Sequence, residues 1–150
     1  MFNQPLLLPF HLSMPISSLE AARRFYGELL GCPEGRSTLM RVDFNFFGHH
    51  LVLHLEPSDA AYRTTDINSD GVITPCRHFG VVLPAVDWAP LVGRLERGGV
   101  AFYLEPQTIF AGQEKEQQIM LVHDACGNIV EFKSMSLHGL FMHTAAVSTP

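Results

Sequence analysis

The residues of this sequence best suited to chemistry are its eight histidines, a large number for 150 residues. Three of them and one glutamate fall on segments whose alternating polarity is typical of β-strands: His11, His54, His78 and Glu131. Because apolar residues flank each of these positions, the alternation places all four groups on the polar strand faces. Three imidazoles and a carboxylate suit a divalent transition metal, and two histidines with one carboxylate suit iron(II).

The strands that carry these residues belong to two similar halves of the chain. Each half begins with a short strand, from Phe10 or from Arg77, and continues into a helix predicted at about 18–30 or 88–97. Ser17 with Glu20 has capping-box spacing for the first helix, and Asp87 is the N-cap predicted for the second. Three further strands are then predicted in each half, at 37–42, 43–47 and 49–55 and at 101–104, 118–123 and 129–133.

This β-α-β-β-β repeat predicts a single α+β domain made of two modules, at about 8–56 and 76–135. The stretch 57–75 is rich in Ser, Asp, Thr and Pro and is expected to be a linker or mobile loop. The tail, 136–150, has weak periodicity and is expected to be a short helix or frayed. If the modules pair about a pseudo-twofold axis, their polar faces form one cupped, mixed or antiparallel sheet that can surround a metal.

Within that cup, His11, His78 and Glu131 are the expected metal ligands, and His54 is either a fourth ligand or a catalytic acid or base. His50 shares the cavity face and could support a ligand, contact the substrate or move protons, since imidazole titrates near neutral pH. Tyr103 could reach the cup as an acid or polarising group. The alternative for any single strand histidine is an ordinary structural or surface role, which is expected for the remaining four: His49, His123, His138 and His143.

Composition excludes several other classes of protein. The net charge is −5, and no basic cluster is present, which argues against nucleic-acid binding. No apolar run approaches the roughly 18 residues of a membrane span, and the first residues lack the basic region of a signal peptide. The three cysteines share no C-x-x-C spacing and cannot all pair. A cytoplasmic protein with reduced thiols and no membrane partner is therefore expected.

Three motifs make the chain resemble the vicinal oxygen chelate superfamily, which contains glyoxalases, bleomycin-resistance proteins and extradiol dioxygenases. The first is S-L-x-x-A-x-x-F-Y-x-x-L-L-G at 18–31, the second is H-F-G-V-V-L from His78, and the third is D-x-x-G-N-I-V-E-F-K at 124–133. The resemblance covers roughly 8–135. The stretches at 35–37 and 42–55, with Glu116, further resemble a bacterial subgroup of extradiol-dioxygenase-like proteins.

This resemblance implies paired βαβββ modules, the glyoxalase/dioxygenase fold, around one divalent metal, commonly in a homodimer. The positions that match the metal site are His11, His54, His78 and Glu131. Iron(II) is favoured, with zinc, nickel or manganese as alternatives. The implied activity is extradiol-type ring-cleaving dioxygenation of a small substrate with vicinal oxygens.

Two alternative functions stay open. One is a glyoxalase-type isomerase or lyase, although glyoxalase I usually has a carboxylate where this chain has His54. The other is a non-catalytic drug-binding resistance protein, although such binders typically lack the ligand set that this chain retains.

Overall fold

A computed structural model describes residues 8–58, 64–69 and 71–141 of the chain. A first helix, α1, continues without a break into a π-helical segment, and two further helices, α2 and α3, follow later in the chain. The bounds are α1 Leu19–Ala22, the π-helical segment Arg23–Leu29, α2 Ala85–Arg97 and α3 Leu137–Phe141. The ten strands are β1 His11–Ile16, β2 Glu34–Ser37, β3 Arg41–Phe46, β4 His49–Leu55, β5 Asp66–Ser69, β6 Val72–Pro75, β7 Phe79–Leu83, β8 Phe102–Ile109, β9 Gln117–His123 and β10 Ile129–Ser134.

Two four-stranded sheets repeat one topology, which confirms the α+β fold predicted from the repeat. Sheet 1 has the order β1-β4-β3-β2, and sheet 2 has the order β7-β10-β9-β8. In each sheet the first strand of the module pairs in parallel with the last strand, and the other pairings are antiparallel. Each module therefore places its first strand at a sheet edge, beside the strand that ends the module.

The helices were predicted at the right places, but both capping residues were wrong. Ser18, not Ser17, caps α1 through its side-chain oxygen, which accepts a hydrogen bond from the backbone N–H of Ala21 at 3.2 Å. Ser17 instead donates its backbone N–H to the carbonyl of Cys126 in the other module. Helix α2 begins earlier than expected, directly after Pro84, so Asp87 lies in the first turn, where its charge still favours the helix dipole.

Two further predictions, one of a strand and one of a linker, were wrong. The strand expected at 37–42 is interrupted by a turn, in which Thr38 accepts and donates hydrogen bonds that close the connection from β2 to β3. The expected linker at 57–75 contains the β5–β6 hairpin, in which Asp66 pairs with Pro75. Residues 59–63 and 70 of that stretch, and 142–150 of the tail with His143, lie outside the described residues.

One hydrophobic core joins the two modules. Helix residues Tyr26 and Leu95 pack with sheet residues of both modules, including Phe44, Val122 and Phe132, all at most 1% exposed. Buried polar contacts cross the same boundary: the Tyr26 hydroxyl donates to Asp124 at 2.8 Å, and the Asn128 amide donates to the carbonyl of Pro15 at 2.8 Å. No helix within the described residues has the length and apolar content needed to span a bilayer.

Candidate functional site

The side chains of His78 and Glu131 meet on sheet 2. Glu131 lies in β10 opposite Gly80 of the parallel neighbour β7, and His78 immediately precedes β7. The His78 Nε2 lies 3.2 Å from Glu131 Oε2, and both side chains are partly buried. On the other side of the ring, Nδ1 lies 2.6 Å from the carbonyl oxygen of Pro75. The imidazole is thus held at both nitrogens.

This arrangement fits a cation between His78 and Glu131. A backbone carbonyl can only accept, so Nδ1 of His78 carries the proton and, in the neutral ring, Nε2 presents its lone pair to the carboxylate. Two acceptors face each other unless a proton or a metal ion lies between them. Ligands about 2.1 Å from one ion lie roughly 3.0–3.4 Å apart at octahedral to tetrahedral angles, which matches the observed 3.2 Å.

The charges around the pair favour a protonated His78 and an ionised Glu131. The hydrogen bond to Glu131 raises the pKa of His78, although burial opposes the shift. Burial pushes the pKa of Glu131 upward, but the hydrogen bond from His78 and the charge of Lys133 outweigh it and lower that pKa overall. The Lys133 ammonium lies 3.2 Å from Glu131 Oε1. Glu131 is therefore held as a carboxylate with one oxygen on Lys133 and the other toward His78.

A cavity of about 400 Å³ opens beside the pair. It is lined by His78, Glu131 and Lys133 and by both apolar and polar residues around them. The apolar ones are Ile67 and Val72 from the β5–β6 hairpin and Ile109, Phe110 and Ile119 from the β8–β9 region, and the polar ones are Thr74, Lys115 and Gln117. The hairpin is tethered to the sheet because the Tyr103 hydroxyl of β8 donates to the carboxylate of Asp66. Tyr103 does not line this cavity among the described residues.

Gly80 makes the close approach of β7 to β10 possible. A Cβ atom added at Gly80 would lie 2.5 Å from the carbonyl carbon of Glu131 and closer still to its oxygen, where ordinary contact begins at 3.4 Å. The corresponding position of β1 is Ser13, opposite Val52. The two sheets thus differ at the position that brings His78 to Glu131.

The other predicted residues lie on sheet 1. His11 of β1 pairs in register with His50 of β4, and their Nδ1 atoms are 2.9 Å apart. His54 is exposed further along β4, opposite Arg41 of β3. Counting from the paired first strands, Val52 corresponds to Glu131, whereas His54 corresponds to Lys133. The repeat therefore places His54 two residues beyond the equivalent of the glutamate.

The four expected ligands do not come together within one chain. Across residues 8–58, 64–69 and 71–141, no three His, Cys, Asp or Glu side chains converge on a position that could hold a metal ion. His78 and Glu131 form a pair on sheet 2, whereas His11 and His54 lie on sheet 1. The described part of the chain thus divides the four expected ligands between its two sheets.

Sequence reasoning missed Asp43, which lies in β3 beside the sheet 1 histidines. Its side chain is almost completely buried, and one carboxylate oxygen lies 3.3 Å from His50 Nε2. The signal was a single acidic residue between Val42 and Phe44 in an otherwise apolar strand. A charge buried at such a position needs partners. The histidines expected to be structural make other contacts: His49 accepts from the Phe10 backbone, the His123 ring lies tilted beside that of Tyr103, and His138 pairs with Glu114.

Comparison with known protein families identifies the superfamily of this chain. The model of the glyoxalase/bleomycin resistance protein/dioxygenase superfamily matches residues 9–132. The chain belongs to this superfamily. Its members include enzymes, bind small molecules and divalent metals, and often form dimers. The match supports the superfamily and does not single out its extradiol-dioxygenase-like subgroup.

Solved structures agree with this assignment. A glyoxalase/bleomycin resistance protein/dioxygenase from Alicyclobacillus acidocaldarius is 28% identical, with a TM-score of 0.71 over 91% of this chain and 97% of that one. A fosfomycin resistance protein from Listeria monocytogenes is 13% identical, with a TM-score of 0.66 over 89% and 98% of the two chains. A lactoylglutathione lyase from Agrobacterium tumefaciens is 15% identical, with a TM-score of 0.59 over 92% and 98%. The last two share the fold alone. None of the curated proteins compared matches this chain.

Proposed function

We propose that this chain is a divalent-metal-dependent enzyme that binds a small substrate through two vicinal oxygens, and that its reaction is ring-cleaving dioxygenation of an aromatic diol. The observation that carries this proposal is the His78–Glu131 pair, in which Nε2 and the facing carboxylate oxygen are 3.2 Å apart, a separation that suits two ligands of one divalent ion. Two histidines and one carboxylate would hold iron(II) with positions left open. A divalent ion at this position supplies Lewis acidity to the substrate oxygens.

We propose further that a homodimer completes the metal site. His78 and Glu131 supply two ligands on sheet 2, and the described part of one chain brings no third ligand to them. His11 projects from the corresponding end of sheet 1 as the third. In a symmetric dimer, His11 of each copy can face His78 and Glu131 of the other, so that two equivalent sites form.

The remaining roles follow from the surroundings of the pair. The apolar part of the cavity wall suits a flat aromatic ring, while Lys133 favours an anionic oxygen near Glu131. His54 is exposed on sheet 1 and, in the dimer, could move a proton at a substrate oxygen. Tyr103 acts here through the hairpin that it tethers, because its hydroxyl donates to Asp66.

Metal analysis tests the site. Protein loaded anaerobically with iron(II) and then desalted is expected to hold one metal ion per chain, and the double variant His78→Ala/Glu131→Ala is expected to hold none. The double variant His138→Ala/Glu114→Ala is the matched control, because it removes an exposed His–Glu pair 2.8 Å apart from another part of the surface. Metal retained by the first variant, or absent from the wild type with every divalent metal tried, contradicts the proposal. The second result favours a metal-free drug-binding protein.

Complementation tests the homodimer. The variants His11→Ala and Glu131→Ala are each expected to lose metal, because each removes a ligand from both sites. After the two are unfolded and refolded together, half of the dimers are mixed, and each mixed dimer retains one intact site of two. Metal content should recover to about a quarter of the wild-type value. No recovery from a mixture shown to contain mixed dimers means that each site lies within one chain.

Substrate assays test the reaction. The iron-loaded protein is expected to consume dioxygen with a substituted catechol and to form a yellow ring-cleavage product. The Glu131→Ala variant provides the control for uncatalysed oxidation. Turnover of a hemithioacetal instead, with no oxygen uptake, assigns the glyoxalase-type isomerase or lyase activity and overturns the dioxygenase.

A further inference from the structure

A chain of hydrogen bonds runs across the polar face of sheet 1, from Asp43 on β3 through His50 on β4 to His11 on β1. His50 Nε2 lies 3.3 Å from Asp43 Oδ2, and His50 Nδ1 lies 2.9 Å from His11 Nδ1. The rings of His11 and His50 are 4.9 Å apart and tilted by 38°. The three residues come from three adjacent strands, so the sheet itself fixes their order.

Asp43 is the fixed end of this chain. Its side chain is only 3% exposed, and two guanidinium groups compensate its charge, with Arg36 Nε 3.4 Å from Oδ2 and Arg41 Nε 3.7 Å from Oδ1. A carboxylate can only accept hydrogen bonds, so the proton in the contact with His50 belongs to the imidazole. Asp43 therefore requires His50 to carry its proton on Nε2.

The proton positions of both histidines follow from that requirement. A neutral His50 with its proton on Nε2 has a lone pair on Nδ1. The contact between the two Nδ1 atoms then needs a proton from His11, which leaves Nε2 of His11 with its lone pair. We infer that Asp43, acting through His50, holds His11 in the tautomer protonated on Nδ1, so that Nε2 is ready to bind a metal ion. The inference rests on the proposed function, in which His11 is a ligand.

The contacts from Asp43 through His50 matter because the tautomer that they select in His11 is the less common one. A free neutral histidine side chain favours the proton on Nε2, the nitrogen that His11 must keep unprotonated to bind metal through it. Groups that orient a ligand from behind typically change metal affinity by about 10–100-fold. Asp43 and His50 are thus positioning residues. His78 is prepared on sheet 2 in the same sense by the carbonyl of Pro75.

Nitrogen-15 NMR of the metal-free protein at pH 8 tests the tautomer directly. In the wild type, the His11 ring is expected to show a protonated Nδ1 and an unprotonated Nε2. Asp43→Asn is expected to reverse this tautomer, because the asparagine amide can donate to His50 Nε2 and so shift the proton of each histidine to its other ring nitrogen. His50→Phe is expected to return His11 to the ordinary tautomer, because its acceptor is removed. Glu34→Gln is the matched control, since it neutralises a carboxylate of the same sheet that pairs with Arg23.

A second measurement follows Zn²⁺ alone, by competition with a chromogenic chelator. Both Asp43→Asn and His50→Phe are expected to weaken Zn²⁺ binding by about 10–100-fold, and Glu34→Gln to leave it unchanged. Circular dichroism checks folding; if Asp43→Asn does not fold, the partly exposed His50→Phe decides the question. Wild-type His11 protonated on Nε2, or a tautomer unchanged in a folded His50→Phe, overturns the inference even where Zn²⁺ binds. A wild type that binds no divalent metal overturns the proposed function instead.

Discussion

The approach of β7 to β10 at Gly80 gives the sharpest test of how sheet 2 brings His78 to Glu131. A Cβ added at Gly80 would lie 2.5 Å from the carbonyl carbon of Glu131, whereas ordinary contact begins at 3.4 Å. In Gly80→Ala the two strands must therefore separate by about 1 Å or more. Such a shift forces backbone into a packed sheet and costs about 1–3 kcal/mol of unfolding free energy.

Two quantities should change together in Gly80→Ala. The melting temperature is expected to fall by about 2–12 °C, since 1 kcal/mol corresponds to roughly 2–4 °C in a domain of this size. Zn²⁺ affinity is expected to fall by at least tenfold, because His78 moves with β7 while Glu131 stays on β10. Differential scanning calorimetry and chelator competition measure the two effects.

Gly35→Ala is the matched control for this substitution. Gly35 also lies in a strand, but its added Cβ would meet Asp43 at an ordinary 3.6 Å. Its melting temperature and Zn²⁺ affinity are expected to stay close to those of the wild type. If Gly80→Ala behaves like Gly35→Ala, the close approach of the two strands does not position His78 against Glu131, and the reasoning is refuted.

Three further predictions concern other parts of the chain. Tyr26→Phe leaves Asp124 short of one buried hydrogen bond and should lower the free energy of unfolding by about 1–3 kcal/mol in urea titrations; no loss would mean that the bond between the modules adds no stability. Tyr103→Phe frees the hairpin from Asp66 and should speed hydrogen exchange of β5 and β6 severalfold without changing the melting temperature, whereas unchanged exchange would contradict the tether. Of the three thiols, exposed Cys76 should react rapidly with a disulfide reagent, while the other two, whose pKa values burial raises to about 11 and about 12, should react only after unfolding; rapid reaction of a second thiol would contradict their burial.

The sequence predicted the faces of the strands well because side chains alternate strictly along a strand. That parity alone put His78 and Glu131 on the polar face, where the structure brings them together. Parity does not reveal register, so the equivalence of His54 to Lys133 rather than to Glu131 emerged only from the paired strands. Parity also could not show that His11 and His78 lie on separate sheets of one chain, because it carries no information about how the modules pack in the tertiary structure.

The composition of the segment that connects the modules led to a wrong prediction of its structure. Polar residues with Pro and Ser suggested a linker, yet an Asp-Gly pair at 70–71 between Ile67 and Val72 is a hairpin signal. Asp43 was missed for a different reason. A lone acidic residue in an apolar strand resembles an exception to the pattern until its partners are known, and those partners come from two other strands.

The β5–β6 hairpin separates the role of the duplicated modules from the role of the segment that joins them. Neither repeat contains this segment, yet it supplies one wall of the cavity beside Glu131. Two intact repeats joined by a short flexible spacer would therefore keep His11, His78 and Glu131 and lose this wall of the cavity. Changes in the length or sequence of the connection can thus alter the shape of this cavity while His78 and Glu131 stay in place.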